Sequence, residues 1–410
     1  MPTATPPGIP HYTGNLFSAD VLADGQAAYQ QLRDLGDVVW VPELQLYVAA
    51  RYEDVVLGLR AANVLVSGQG VSVNEDVNGI DAPTGTSTLT CDGARHQALK
   101  QLEMRPLLPG SINKLRERID ELANARVAGL IDAGAIEAIS QLAAYLPTTI
   151  VAELVGIKGL GPNRMLEWSN AIFDAFGPAD NQRTGAALPT IAQFVGFGQQ
   201  LTRQDVIPGS WADQIFDAID AGKVSLQEGR DLIFDYVIPS LDTTIYATGE
   251  LLYRLAVDPA AYQLLRKRPE LHSPAILEAV RLASPLRGFT RLAVADFRFS
   301  QSTIPAGSRS GCSMPRPIWT SAIMPTRRAS ISNAIRATIL DGAMASTSAL
   351  ACTSPSWRWK LSCARWLRRF RAWRLQRHPS GSSTTPRKVS HASRFAFTPP
   401  DRHLPTSSLA

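Results

Sequence analysis

Apolar residues recur at helical spacing through most of the first three hundred positions. Over 26–35, Tyr29, Leu32 and Leu35 share one helix face, and Gly36 stands where that helix would stop. Two short runs rich in β-formers follow, 38–41 and 46–50, and Pro42-Glu43 between them predicts a hairpin. Helical pattern returns over 52–60, then at Leu115, Ile119, Leu122 and Leu130. It returns again over 136–155, where Pro147 predicts a break. No internal repeat is visible.

The clearest helix signal begins at Ser225. Ser225-Leu226-Gln227-Glu228 is a capping box, in which the Ser and Glu side chains satisfy each other's free backbone N–H groups. Apolar periodicity then runs to Ala256, and Asp258-Pro259 stops it. About thirty residues at ~1.5 Å each make a rod roughly 45 Å long. Its mostly apolar middle predicts burial through the core. Pro239 inside it removes one helical hydrogen bond and frees the carbonyl of Asp235, so a local opening is expected. Ser273-Pro274 predicts an N-cap and first turn for a further helix that ends before Pro285. The stretches 291–295 and 297–299 read as strands, followed by a turn at Pro305-Ala306-Gly307. The pattern is that of a mainly α protein with a small β region.

Composition divides the chain in two. Residues 310–410 hold 16 Lys and Arg against two acids, Asp341 and Asp401, a net charge of +14, whereas residues 1–309 carry −9. All nine Tyr precede position 263, no Glu follows Glu278, and five of the eight Trp lie after Arg309. The overall +5 therefore describes neither part. The Pro-rich start, Met1 to Pro10, lacks the apolar stretch of a secretory signal, and no apolar run is long enough to span a membrane. Cys91, Cys312, Cys352 and Cys363 have neither metal-ligand spacing nor the density of a disulfide framework. A cytoplasmic protein with a single large core over 1–309 is expected.

Three groupings could carry chemistry. Pro239-Ser240-Leu241-Asp242-Thr243-Thr244 sets a carboxylate and a hydroxyl beside a proline, an arrangement able to seat water and relay protons. A kinked helix whose Thr hydroxyls bond back to the preceding turn would use the same residues. Glu278 and Arg281 put opposite charges three residues apart on one helix face. His96 and Lys100, four apart, suit an anionic group, or simply a solvated helix face.

The order and distances of these groupings resemble the bacterial cytochrome P450 superfamily over about residues 10–309. Ile304-Pro305-Ala306-Gly307 and Leu251-Leu252-Tyr253-Arg254-Leu255-Ala256, with Asp258-Pro259, resemble its strand turn and the end of its long helix. The resemblance implies a haem-thiolate monooxygenase that inserts oxygen into a small organic substrate. Electrons would come from NAD(P)H through a ferredoxin and its reductase. It implies that His96, Lys100 and Arg291 bind the haem propionates, that Asp242 and Thr243 deliver protons, and that Glu278 and Arg281 form a buried structural pair. Two positions depart from the family pattern: Lys100 stands where Arg is usual, and Pro239-Ser240 where Ala/Gly-Gly is usual. Arg287, after Ser284-Pro285-Leu286, stands where a residue facing the substrate pocket is one reading, and a surface position is the preferred one.

The family's axial ligand is a Cys in a loop of the type F-x-x-G-x-x-x-C-x-G, and no Cys of this chain lies in one. No metal ligand is therefore assigned, and neither thiolate-ligated haem nor native activity is expected of the chain as written. A shifted reading frame beginning near 309–311 accounts for both the compositional break and the missing loop. Combining the third base of each codon with the first two of the next, residues 340–353 permit G-W-G-H-G-V-H-Q-C-A-G-M-H, the absent loop with Trp for Phe. Its Cys codon straddles Ser348 and Ala349. Residues 354–366 then permit an amphipathic helix, L-A-K-L-E-M-E-A-L-L-R-A-L, and residues 311–331 permit a segment like the one that precedes the family's haem loop. On this basis 310–410 is expected to be largely disordered and not to complete the fold. Taken at face value, Trp357-Arg358-Trp359-Lys360 and 365–371 mix cations with aromatics. That is the composition of a nucleic-acid or membrane-surface binding segment on a haem-free helical scaffold. A solvated basic tail is preferred over that alternative.

Overall fold

The computed structural model describes residues 8–81, 85–133, 136–313, 374–376 and 396–398. The expected sequence-to-function links that fall on the rest, among them 340–353, 357–360 and the Cys codon across Ser348 and Ala349, lie outside the described residues.

The chain begins with α1 (Ala19–Ala23), capped by the Ser18 hydroxyl, and α2 (Gln26–Leu35). Tyr29 and Leu32 of α2 pack beneath the hairpin of β1 (Val39–Val41) and β2 (Leu46–Ala49). Gly36 caps α2 in extended rather than left-handed backbone, so the chain runs straight from helix into strand. Strand side chains alternate between two faces. Val39, Val41, Leu46 and Val48 face α2, while Trp40, Tyr47 and Ala49 pack on the opposite side with Val55 and Ile304. Both faces are covered, which is why the expected hairpin is apolar throughout rather than half polar. After it come α3 (Tyr52–Arg60), β3 (Leu65–Val66) and α4 (Glu75–Asp81).

A helical body follows: α5 (Gly93–Met104), α6 (Pro109–Lys114) and α7 (Arg116–Ala133). The stretch expected as one helix over 136–155 is instead three pieces. Strand β4 (Ile136–Glu137) leads to a π-helical turn, Ile139–Ala143, and then to α8 (Tyr145–Val155). Pro147 does not break α8. It sits in the first turn, where the missing N–H has no intrahelical partner to lose. Next come α9 (Pro162–Ala175), α10 (Gln182–Gln200) and α11 (Trp211–Asp220).

The long helix α12 (Leu226–Val257) spans 32 residues and begins with the expected capping box, both of whose hydrogen bonds are present. Leu232, Ile233, Phe234, Val237 and Leu241 bury it against α8, α9 and α11. Farther along, Ala247, Leu251 and Leu255 pack on α13 (Pro259–Lys267) and α14 (His272–Ala283). The opening expected at Pro239 is absent, and α12 runs through it unbroken. The N-cap of α14 is also displaced from the expected Ser273. A 3-10 turn, Pro269–Leu271, feeds directly into the helix, and Leu271 is the capping residue.

Strands β5 (Gly288–Ala293), β6 (Phe297–Arg298), β7 (Thr303–Ile304) and β8 (Arg309–Ser313) close the described body. The strand expected over 291–295 thus starts three residues earlier. The main sheet has the order β1-β2-β8-β5-β3, with β8 parallel to β2 and antiparallel to β5. Two further strands, β9 (Arg374–Gln376) and β10 (Ala396–Thr398), form a small sheet with β4. The architecture is mainly helical with a small β region. Among the described residues no helix is long and apolar enough to cross a membrane.

Candidate functional site

Asp242 and Thr243 occupy the middle of α12. Asp242 is 6% exposed, and Thr243 is half-buried. The Thr243 hydroxyl donates to the Pro239 carbonyl at 2.6 Å, and Thr248 repeats the pattern onto Thr244 at 2.8 Å. Thr243 therefore makes the back-bond to its own helix that the sequence left open as the plainer alternative.

Asp242 faces α9. On that helix the wholly buried Ser169 donates its hydroxyl to the Ile238 carbonyl at 2.9 Å, one turn before Asp242 on α12. Burial pushes the carboxyl up to about 7, with a smaller push from Asp174, while the Ser169 hydroxyl works the other way. Asp174 is itself engaged, its carboxylate 2.7 Å from Arg183 on α10. A carboxyl group in this state exchanges its proton near neutrality, which suits proton transfer.

His96 and Lys100 lie one turn apart on α5, both half-buried. The His96 Nδ1–H donates to the Thr88 carbonyl at 2.9 Å, which fixes the tautomer and leaves Nε2 for another partner. Lys100 lies near Glu103, which burial first, and Asp235 second, push up to about 7; the Thr88 hydroxyl and the Lys100 charge oppose that rise. Arg291 stands on β5, in register with Ser310 of β8. The cations expected to hold the propionates thus come from two elements, α5 and β5.

Glu278 and Arg281 are ion-paired on α14. Arg281 Nε and Nη2 donate to Glu278 Oε2 and Oε1 at 2.6 and 2.5 Å, and their side chains are 12% and 4% exposed for Arg281 and Glu278. Arg287 is exposed, as anticipated, and its guanidinium caps the end of α1 through the carbonyls of Val21 and Leu22.

Several participants carry no sequence signal of their own. Asp235 accepts hydrogen bonds from the Ser87 hydroxyl at 2.9 Å and from the Thr88 amide and hydroxyl at 2.9 and 2.8 Å; Asp231 accepts from the Thr86 hydroxyl. These bonds strap the segment before α5 onto α12. Tyr236 adds a third tie by donating to the Glu103 carbonyl at 2.9 Å. The Thr86-Ser87-Thr88 run was legible as a hydroxyl cluster, but its acceptors lie about 145 residues away. Ser169 has no local signal at all.

The fit to a haem-thiolate site is partial. Of the residues expected on the propionate side, His96 and Lys100 lie on α5 and Arg291 on β5. The thiolate side is not served by Cys91, which is buried; burial and the nearby Asp235 and Asp92 push its thiol up to about 11, so it stays neutral. Among the described residues no group of His, Cys, Asp and Glu side chains is placed to hold a metal ion. The described residues do not complete the site.

No family model matches the chain. Cytochrome P450 CYP199A2 of Rhodopseudomonas palustris is 27% identical over 314 residues, covering 75% of this chain and 76% of its own length. The vitamin D(3) 25-hydroxylase of Pseudonocardia autotrophica is 24% identical, covering 72% of this chain and 73% of itself. Among solved structures, cytochrome P450 CYP109Q5 from Chondromyces apiculatus superimposes with a TM-score of 0.72 at 18% identity, covering 95% of this chain and 98% of that one. That last likeness concerns the fold.

Proposed function

We propose, for a chain that belongs to the bacterial cytochrome P450 superfamily, that residues 8–309 are the scaffold and proton-handling part of a monooxygenase. We propose also that residues 310–410 are read out of the frame that would supply its axial cysteine. Haem is the cofactor of this family, and when ligated by thiolate it supplies the oxygen chemistry that side chains cannot. The chain's own residues would do the rest. His96 would face a propionate with its Nε2, together with Lys100 and Arg291. Lys100 does so as a point charge rather than a bidentate fork. Asp242 would hold and release a proton near neutral pH, and the Thr243 hydroxyl would position water beside it. Glu278 and Arg281 fix the geometry of α14. Electrons would arrive from NAD(P)H through a ferredoxin and its reductase, and the substrate would be a small organic molecule.

The observation that carries the activity class is the Asp242–Thr243 pair, set mid-way along a buried 32-residue helix with the carboxyl group poised near 7. Support for the frame change comes from β8. Its first residue, Arg309, is locked into the body by Glu75 and by the carbonyls of Gly70 and Gln69, at 3.0 and 2.6 Å. The next residue is Ser310, 1% exposed, whose hydroxyl makes no hydrogen bond. A central strand ordinarily carries apolar side chains at such places, so local sequence and global fold part company at residue 310.

The test is the carbon monoxide difference spectrum of the reduced protein, for the chain as written and for a version restored to the neighbouring frame. The restored protein should give the Soret band of a thiolate-ligated haem, and the chain as written should not. A thiolate-type band from the chain as written, or coding DNA without the haem loop in the neighbouring frame, overturns the proposal.

A further inference from the structure

We propose that Asp235 is the positioning residue for His96: its carboxylate ends a one-way relay of hydrogen bonds that holds the His96 imidazole as the Nδ1–H tautomer. The relay passes through the Ser87 hydroxyl and the peptide group between Thr88 and Leu89. What Nε2 then faces rests on the reading of His96 as a propionate-side residue; the relay itself needs no haem.

All of its bonds point the same way. At the α5 end, His96 Nδ1 lies 2.9 Å from the Thr88 carbonyl oxygen. A carbonyl only accepts, so the proton is on Nδ1. That carbonyl shares its peptide group with the Leu89 N–H, which donates to the Ser87 hydroxyl at 3.1 Å. The Ser87 hydroxyl has one proton, and it goes to Asp235, 2.9 Å from Oδ1 and 3.2 Å from Oδ2. Hydrogen bonds in such a chain polarise one another, so the negative charge at its far end favours a donor at Nδ1.

A second grip fixes the same loop from its other side. The Thr88 amide and hydroxyl both donate to Asp235 Oδ2, at 2.9 and 2.8 Å. Both peptide groups that flank the Thr88 Cα are therefore tied to one carboxylate, the first directly and the second through Ser87. The Thr88 carbonyl cannot turn away from His96 without straining one of those ties. Asp235 accepts in every one of these bonds, as an ionised carboxylate does. It stands on α12, about two turns before Thr243. The helix that carries Asp242 and Thr243 thus also sets the ring orientation of a residue on α5.

Other contacts join the same parts of the molecule without entering the relay. Arg95 pairs with Glu228, Tyr236 donates to the Glu103 carbonyl, and Asp92 accepts from the Ser67 and Gly68 amides at 3.0 and 2.6 Å. None of these involves Ser87, Thr88, Leu89 or His96, so they separate the orienting role of Asp235 from general attachment of α5 to α12.

The experiment is imidazole nitrogen NMR of the full 410-residue chain at alkaline pH, where imidazoles are neutral. His96→Gln assigns the His96 signals among the six histidines. Wild type should show His96 as the Nδ1–H tautomer, the form that a solvated histidine populates less. Ser87→Ala cuts the relay while leaving both Thr88 bonds to Asp235. It should lower the ratio of Nδ1–H to Nε2–H by about threefold or more. Asp235→Ala should lower the ratio further, and Ser87→Ala alone decides the matter if that variant does not fold. Ser87→Thr keeps the hydroxyl and should restore the wild-type ratio. Tyr236→Phe loosens the same interface outside the relay and should leave the ratio unchanged. A wild-type ratio in Ser87→Ala overturns the proposal, as does an equal fall in Tyr236→Phe or an Nε2–H tautomer in wild type. Failure of the monooxygenase assignment would be read elsewhere, in the carbon monoxide difference spectrum of the frame-restored protein.

Discussion

Burying Asp242 costs folding free energy only while it is charged. Its carboxyl group is pushed from the ordinary value of 3.8 up to about 7, chiefly by burial. The native state therefore holds a proton that the unfolded chain has already lost over that interval. The neutral form's stability is fully present below pH 3.8 and is lost progressively as pH rises toward 7. Asp242→Asn keeps the size but cannot ionise. It should be more stable than wild type at alkaline pH, by an amount on the order of 2–4 kcal/mol, with the difference shrinking as the solution is acidified. Urea melts of both proteins across that range test this, and a difference independent of pH would refute it. Asp242 and Thr243 were legible because they are adjacent in sequence. Ser169 was not, because a serine inside an amphipathic helix has no pattern until its neighbour across the interface is known.

Among the elements, α14 shows what a short-range charge pattern is worth once buried. On an exposed helix, Glu278 and Arg281 would contribute about 0–1 kcal/mol. Here both are nearly enclosed, and each guanidinium nitrogen in the pair finds one carboxylate oxygen. Removing one partner strands the other charge. Glu278→Ala should lower stability by roughly 3–5 kcal/mol. Glu278→Leu combined with Arg281→Met should recover a large part of that loss, since the stranded charge goes with its partner. The double-mutant cycle in denaturant checks both numbers. The elements most faithfully legible were those with end signals: α12, with its capping box and terminal Asp258-Pro259, and the hairpin of β1 and β2. The stretch over 136–155 was misread because its apolar spacing is nearly continuous. Periodicity alone does not separate a strand, a π-helical turn and a helix that follow one another without Gly or charge between them.

For the molecule as a whole, the proposed frame change puts the break between sequence and fold at residue 310, where the buried Ser310 hydroxyl has no partner. A buried hydroxyl without a partner is a defect of about 1–3 kcal/mol. Ser310→Val should therefore stabilise the chain as written by about 1–2 kcal/mol, visible as a higher denaturant midpoint with an unchanged slope. A destabilised variant would mean that the serine is native to its site. The mainly helical class and the family-like order of motifs were legible along 1–309. The strap of Thr86, Ser87 and Thr88 on α12 was not, because it joins residues far apart in the chain.

The order of strands in the main sheet also bears on biosynthesis. β8 lies at its centre, between β2 and β5, yet it is the last of the five to be translated. Until residue 313 has left the ribosome, β2 has no neighbour on that side and β5 faces an empty lane. A nascent chain paused before Arg309 therefore presents two open strand edges to whatever is nearby. Chaperone demand in this protein should peak late in translation, when almost all of the helical body has already emerged.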